Sequence, residues 1–171
     1  MTEEDAVDKL KICIVGCGRI ATLNCLGYKD HPHAEVYAVC DVDEARAQAF
    51  ALETGARVVY TDYAQALCDP AIDVIDLLVP HHLHCEMTVQ ACRAGKHVSV
   101  QKPMAMSLEE CDRMIEAARQ AGVQLKVYEN FVFYPPYVKA KELIDEGAIG
   151  EPLSIRLKMN AGSGKHGWRV D

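Results

Sequence analysis

No block of lysine or arginine runs through this sequence; its 171 residues carry scattered basic side chains and a formal net charge of -7. Nucleic acids and anionic membranes, which are recruited by clustered cations, are therefore not expected partners. No apolar run reaches the roughly 18 residues that a membrane span needs. Residues 1–8 are acidic and polar, without the basic start and apolar stretch of a secretory signal. The expectation is a cytoplasmic protein that touches neither membrane nor nucleic acid. Its eight cysteines form no C-x-x-C pair, which argues against zinc knuckles and thioredoxin-type exchange. Cys13 and Cys40 fall in apolar strand-like runs, Cys92 and Cys111 in helix-like ones. Free Cys behaves there as a small hydrophobe, so eight reduced thiols in a reducing compartment are expected. Repeats and low-complexity tracts are missing as well.

Half of the residues are hydrophobic, enough for a packed core and against disorder. The length fits one full domain and the start of a second. Short β-rich runs alternate with longer helical ones. Strands are expected at 11–15, 34–40, 58–60, 74–79, 97–100 and 124–128. Helices are expected at 20–29, 43–53, 62–67, 83–94 and 107–120. Asp43 serves as an N-cap, and Ser107 with Glu110 forms a box-like S-x-x-E start. Strands and helices in this alternation imply right-handed crossovers and a parallel sheet covered on both faces. The pattern then changes. A helix begins at Pro135 and Pro136 and runs to about Glu146. Residues 153–159 (L-S-I-R-L-K-M) alternate as a half-buried strand, expected to begin a second domain. The division is 1–125 and 126–171.

The strongest local signal is I-C-I-V-G-C-G-R-I-A, residues 12–21. Gly16 and Gly18 match the first two glycines of a dinucleotide fingerprint, and Ala21 fills the third small position. The first glycine permits the strand-to-helix turn, the second lets backbone approach a pyrophosphate, and the third lets helix pack on strand. Following a strand and opening a helix, the motif sits in the context that gives it weight. A glycine turn without a cofactor is the plain alternative. Asp41 ends the second strand 23 residues after Gly18, placed to accept hydrogen bonds from an adenine ribose and to repel the extra phosphate of NADP. Val42 follows it, while Arg46, one helical turn on, keeps NADP as a lesser option. The alternative for Asp41 is a solvated helix cap. Together these imply an α/β Rossmann fold, a doubly wound parallel sheet, holding NAD.

Two further strand ends carry candidate groups. After the fourth strand comes P-H-H-L-H-C, with His81, His82, His84 and Cys85. A metal site there is disfavoured, because adjacent residues rarely point at one ion. A histidine lining the cofactor cleft is preferred, and a water-facing His84 is the alternative. After the fifth strand comes V-S-V-Q-K-P, where Lys102 could donate to a substrate oxygen and help proton transfer. A solvent lysine is the alternative.

The elements G-C-G-R-I-A, P-x-x-x-H (residues 80–84), Q-K-P, E-N-F-V-F-Y-P and E-G-A-I-G-E-P occur here in the order that resembles the Gfo/Idh/MocA oxidoreductases, over about residues 9–160. The resemblance implies an N-terminal Rossmann domain and a second α/β domain with a large, mostly antiparallel sheet. It implies hydride transfer between NAD or NADP and a secondary alcohol or carbonyl of a sugar, inositol or related polyol. It places Gly16, Gly18, Arg19 and Ile20 at the pyrophosphate, Asp41 at the adenine ribose, and Pro80, His81 and His84 near the nicotinamide. Lys102 matches the family's active-site lysine, and Asn130 an asparagine near nicotinamide and substrate. Gln101 stands where the family usually has Glu, keeping hydrogen-bonding capacity toward the cofactor without the charge. Position 81 is often Asn in relatives. The resemblance also puts the family's other acid/base residues after Trp168, and implies a homo-oligomer for the full-length form. Two alternatives keep NAD: a non-enzymatic NAD-binding regulator, and a redox-assisted glycosidase. A metal-binding protein is the remote fourth.

Overall fold

The computed structural model describes residues 9–158. They form two compact units, which divide between Glu129 and Asn130. The first holds β1 (Leu10–Val15), α1 (Arg19–Cys25), β2 (Ala34–Cys40), α2 (Glu44–Thr54), β3 (Val58–Tyr60), α3 (Tyr63–Cys68), β4 (Val74–Leu77), α4 (His84–Arg93), β5 (His97–Gln101), α5 (Leu108–Ala121) and β6 (Leu125–Tyr128). A single 3-10 turn, His81–Leu83, precedes α4. The second unit holds a 3-10 turn, Asn130–Phe133, and α6 (Pro135–Asp145).

All six strands are parallel, in the order β3-β2-β1-β4-β5-β6. That is the doubly wound order, in which the chain reverses direction across the sheet between β1 and β4. Alternation along each strand sorts the core into two layers. Ile12, Ile14 and Val39 pack with Ala21 of α1 and Ala47, Phe50 and Ala51 of α2. Cys13, Val15, Ile75, Leu77, Val98 and Val100 pack against Ala66 of α3, Val89 and Cys92 of α4, and Met114 of α5. Short polar side chains start several helices. Asp43 accepts from the Arg46 amide (3.1 Å), Asp62 from the Ala64 amide (2.9 Å) and Ser107 from the Glu110 amide (3.2 Å). Each satisfies an amide that has no intrahelical partner.

The structure departs from the sequence reading most in two places, and β4 ends at Leu77 rather than at residue 79. The first helix ends at Cys25 rather than Lys29. Beyond it, Gly27 and Tyr28 donate to carbonyls only three residues back (3.1 and 3.0 Å), a tightened last turn. The alternating segment 153–158 is not a strand, and Leu153, Ile155 and Leu157 stand 93%, 75% and 72% exposed. A half-apolar strand needs a partner strand and a covering layer, and the segment pairs with none among the described residues; Met159 lies outside them. No helix among the described residues is long and apolar enough to cross a membrane.

One acid lies inside the sheet. Asp76, in the middle of β4, is completely buried. Its Oδ2 accepts from the hydroxyls of Tyr28 and Tyr128, each at 3.1 Å, and those hydroxyls also bond to each other. Its Oδ1 has no partner. Burial raises the Asp76 carboxyl to about 7 against the opposing pull of the two hydroxyls, and pushes Tyr128 up to about 12. An unfolded Asp ionises near 3.9. The folded protein therefore keeps a proton that the unfolded chain releases, and stability from this group is lost as pH climbs from about 4 through 7. Asp76→Asn should gain about 2–3 kcal/mol relative to the parent between pH 5 and pH 8, measured by urea denaturation. A difference that is flat in pH would contradict the buried neutral acid.

Candidate dinucleotide-binding site

The turn from β1 into α1 is set by one close approach. Gly16 has φ +94°, and a Cβ there would lie 2.6 Å from the Leu78 carbonyl oxygen. Only glycine combines that dihedral with that contact. The Gly16 amide donates to Cys40 O (2.8 Å) and the Leu78 amide to Val15 O (2.8 Å). The loop is thereby fastened to both strands that flank β1. Gly18 differs: its backbone is extended (φ -84°, ψ -172°), and a Cβ there would meet nothing within 4 Å. It presents bare backbone outward, beside the exposed Arg19 and Ile20. The first-turn amides of α1 receive no side-chain cap. Ala21 is fully buried against the sheet, in the role expected of the third small residue. Cys17 is buried, and burial pushes its thiol up to about 12; it is a packing group, not a nucleophile.

Asp41, at the end of β2, is 8% exposed. Its Oδ2 accepts from the Cys17 amide (2.9 Å) and its Oδ1 from the Asp43 amide (3.0 Å). The first bond ties the end of β2 directly to the glycine turn. The N-cap of α2 is Asp43, so Asp41 is not the solvated cap. Arg46 Nη1 reaches Asp41 Oδ1 at 3.2 Å, and its Nη2 reaches Asp43 Oδ2 at 3.1 Å.

After β4, Pro80 leads into the His81–Leu83 turn. His84 is completely buried. Its Nδ1 lies 2.9 Å from Pro103 O and its Nε2 3.0 Å from Val79 O. The water-facing alternative for this ring is overturned, because both ring nitrogens meet backbone carbonyls. His84 therefore acts on the strand ends by joining the turn after β4 to the turn after β5. The His81 ring packs edge-on against it, with centroids 5.5 Å apart. Cys85 points its Sγ at Glu110 O (3.5 Å), and no group of three or more His, Cys, Asp or Glu among the described residues is arranged to hold a metal. Lys102 is half-buried, and its peptide bond to Pro103 is cis. The Gln101 side chain accepts from the Lys102 amide (2.8 Å) through Oε1.

Gly16, Gly18, Arg19, Ile20, Asp41, Pro80, His81, Gln101 and Lys102 thus all lie at or just beyond the carboxyl ends of β1, β2, β4 and β5. That edge, at the reversal between β1 and β4, is where open α/β sheets take ligands. Asn130 opens the first turn of the second unit. Asp76 escaped the sequence reading; its only signal was a lone charge inside the run V-I-D-L-L-V.

The comparisons with known proteins agree with this fold. The chain is 33% identical to the oxidoreductase YrbE of Bacillus subtilis over 84% of its length and 42% of that protein. It is 32% identical to myo-inositol 2-dehydrogenase of Thermotoga maritima, over 86% of this chain and 44% of the relative. The WlbA dehydrogenase of Bordetella pertussis, solved with NADH and UDP-GlcNAcA, superposes with a TM-score of 0.79 at 31% identity, over 83% of this chain and 43% of that one. The chain spans less than half the length of these relatives. Residues 10–129 match the profile of the GFO_IDH_MocA oxidoreductases, described as an oxidoreductase family with an NAD-binding Rossmann fold, and the chain belongs to that family.

Proposed function

We propose that this chain is the dinucleotide-binding part of an NAD(H)-dependent oxidoreductase that acts on a secondary alcohol or carbonyl of a sugar-like polyol. The observation that carries the cofactor assignment is the glycine turn with Asp41 bonded into it. Gly18 offers backbone that no side chain shields, and the adjacent amides of Arg19 and Ile20 begin a helix without intrahelical acceptors. These groups suit a pyrophosphate. The Asp41 carboxylate suits a ribose diol and opposes a 2′-phosphate. When bound, the nicotinamide supplies the hydride acceptor or donor.

The chain's own residues hold and orient. Lys102 Nζ would bond the substrate oxygen, favouring the carbonyl as it polarises and the alcohol as it loses its proton. His84 holds the Pro103 carbonyl, and Gln101 holds the Lys102 amide, so the turn that carries Lys102 is braced from two sides. The polyol class rests on the relatives, which are named as acting on myo-inositol or solved with a nucleotide-linked sugar acid. A homo-oligomeric full-length protein, with a second domain built on a mostly antiparallel sheet, belongs to the same reading.

Two glycine variants separate the cofactor role from folding. Gly18→Val should fold with a loss of no more than about 1 kcal/mol, from a poorer N-cap of α1, yet lose saturable NADH binding by nicotinamide fluorescence, because its side chain enters the space a pyrophosphate needs. Gly16→Ala should lose about 2 kcal/mol or more of stability, through strain at positive φ and the Leu78 contact. Undiminished NADH binding by folded Gly18→Val would remove the assignment. In the full-length protein, Lys102→Ala should lower kcat for polyol oxidation by about 10²–10⁴-fold while leaving the NADH Kd within twofold. Unchanged turnover would exclude Lys102 from the chemistry.

A further inference from the structure

The surroundings of Asp41 contain a competition. A carboxylate offers about four acceptor positions. Here Oδ1 takes the Asp43 amide (3.0 Å) and Arg46 Nη1 (3.2 Å), while Oδ2 takes the Cys17 amide (2.9 Å) and the same Nη1 (3.4 Å). Two of the three donor groups are backbone amides fixed by the strand end and the glycine turn. The third is a side chain, 51% exposed, on the first turn of α2. A ribose diol that donates two hydrogen bonds to Asp41 can displace only that one. Arg46 does not lose all its partners when displaced, since its Nη2 also holds Asp43 Oδ2 at 3.1 Å.

We propose that Arg46 is a specificity-determining residue for the dinucleotide: it occupies the ribose positions of Asp41 in the free protein and sets how far a 2′-phosphate is tolerated. The inference rests on the NAD(H) reading above. With NADH, the hydroxyls take the Asp41 oxygens and the guanidinium withdraws toward Asp43. With NADPH, the 2′-phosphate arrives between the carboxylates of Asp41 and Asp43. Arg46 is the cation already placed between them, and its planar fork can bond a phosphate while still facing a carboxylate. Removing Arg46 therefore has opposite consequences for the two nucleotides. NADH loses a competitor, and NADPH loses its counter-ion against two acids.

The test is a fluorescence titration of the whole chain and of Arg46→Ala, at low ionic strength, with NADH and NADPH in turn. Circular dichroism checks that the variant is folded. The expected result is a rise of about tenfold or more in the ratio of the NADPH Kd to the NADH Kd, equivalent to 1.4 kcal/mol. NADPH binding should weaken and NADH binding hold or tighten up to about threefold. Arg46→Lys should fall between, keeping the charge but losing the fork that spans both acids. NADH and NADPH both bound with their ratio unchanged within twofold, or a ratio that falls, would overturn the role of Arg46 and leave the NAD(H) reading intact. If the parent chain binds neither nucleotide, the NAD(H) reading itself fails and takes this inference with it.

Discussion

At residue 16 a side chain would have to occupy the place held by the carbonyl group of Leu78. The absence of that side chain lets β1 and β4 lie in register as far as Val15 and Leu77 while the chain turns sharply over them into α1. Everything at the carboxyl edge depends on this approach. It brings the glycine turn within reach of the Asp41 carboxylate, and it puts the turn after β4 beside the one after β1. A wider turn would part the loop from both strand ends that flank it, and the proposed pyrophosphate and ribose groups would no longer converge.

Two buried acids show how the same residue type is put to different uses. Asp41 sits at a strand end, where two amides and a guanidinium meet it. Charge there is compensated, and a carboxylate can serve a ligand. Asp76 sits two strands over, in the middle of β4, with two hydroxyls on one oxygen and nothing on the other. Hydroxyls compensate charge weakly, and burial favours the protonated form. Asp76 thus joins β4 to β6 and to the segment after α1 without offering a group to the edge. Position along the strand separates the acid proposed to meet the ribose from the one that is internal.

The strand bounds of β2 and β3 and the caps at Asp43 and Ser107 were legible because their causes are local: apolar runs, and short polar side chains at amides without partners. The glycine turn was legible for a similar reason, since strand, turn and helix adjoin in sequence. What was not legible depends on distant residues. The burial of His84 requires the turn at Pro103, 19 positions away. Tyr28 leaves the helical path and spends its hydroxyl on Asp76, 48 positions on. The alternating segment from Leu153 carries a strand's pattern, yet pattern alone makes no strand without a neighbour to pair with.

The carboxyl edge at the β1–β4 reversal is the proposed seat of the dinucleotide. Amide chemical-shift mapping of the ¹⁵N-labelled chain on addition of NADH tests it most directly. Saturating shifts are expected to concentrate on Gly16 to Ile20 and on Asp41 to Asp43, with smaller ones at His81 and Lys102. Shifts that cluster instead on the outer faces of α4 and α5, or that leave the glycine turn unmoved while NADH saturates, would contradict it.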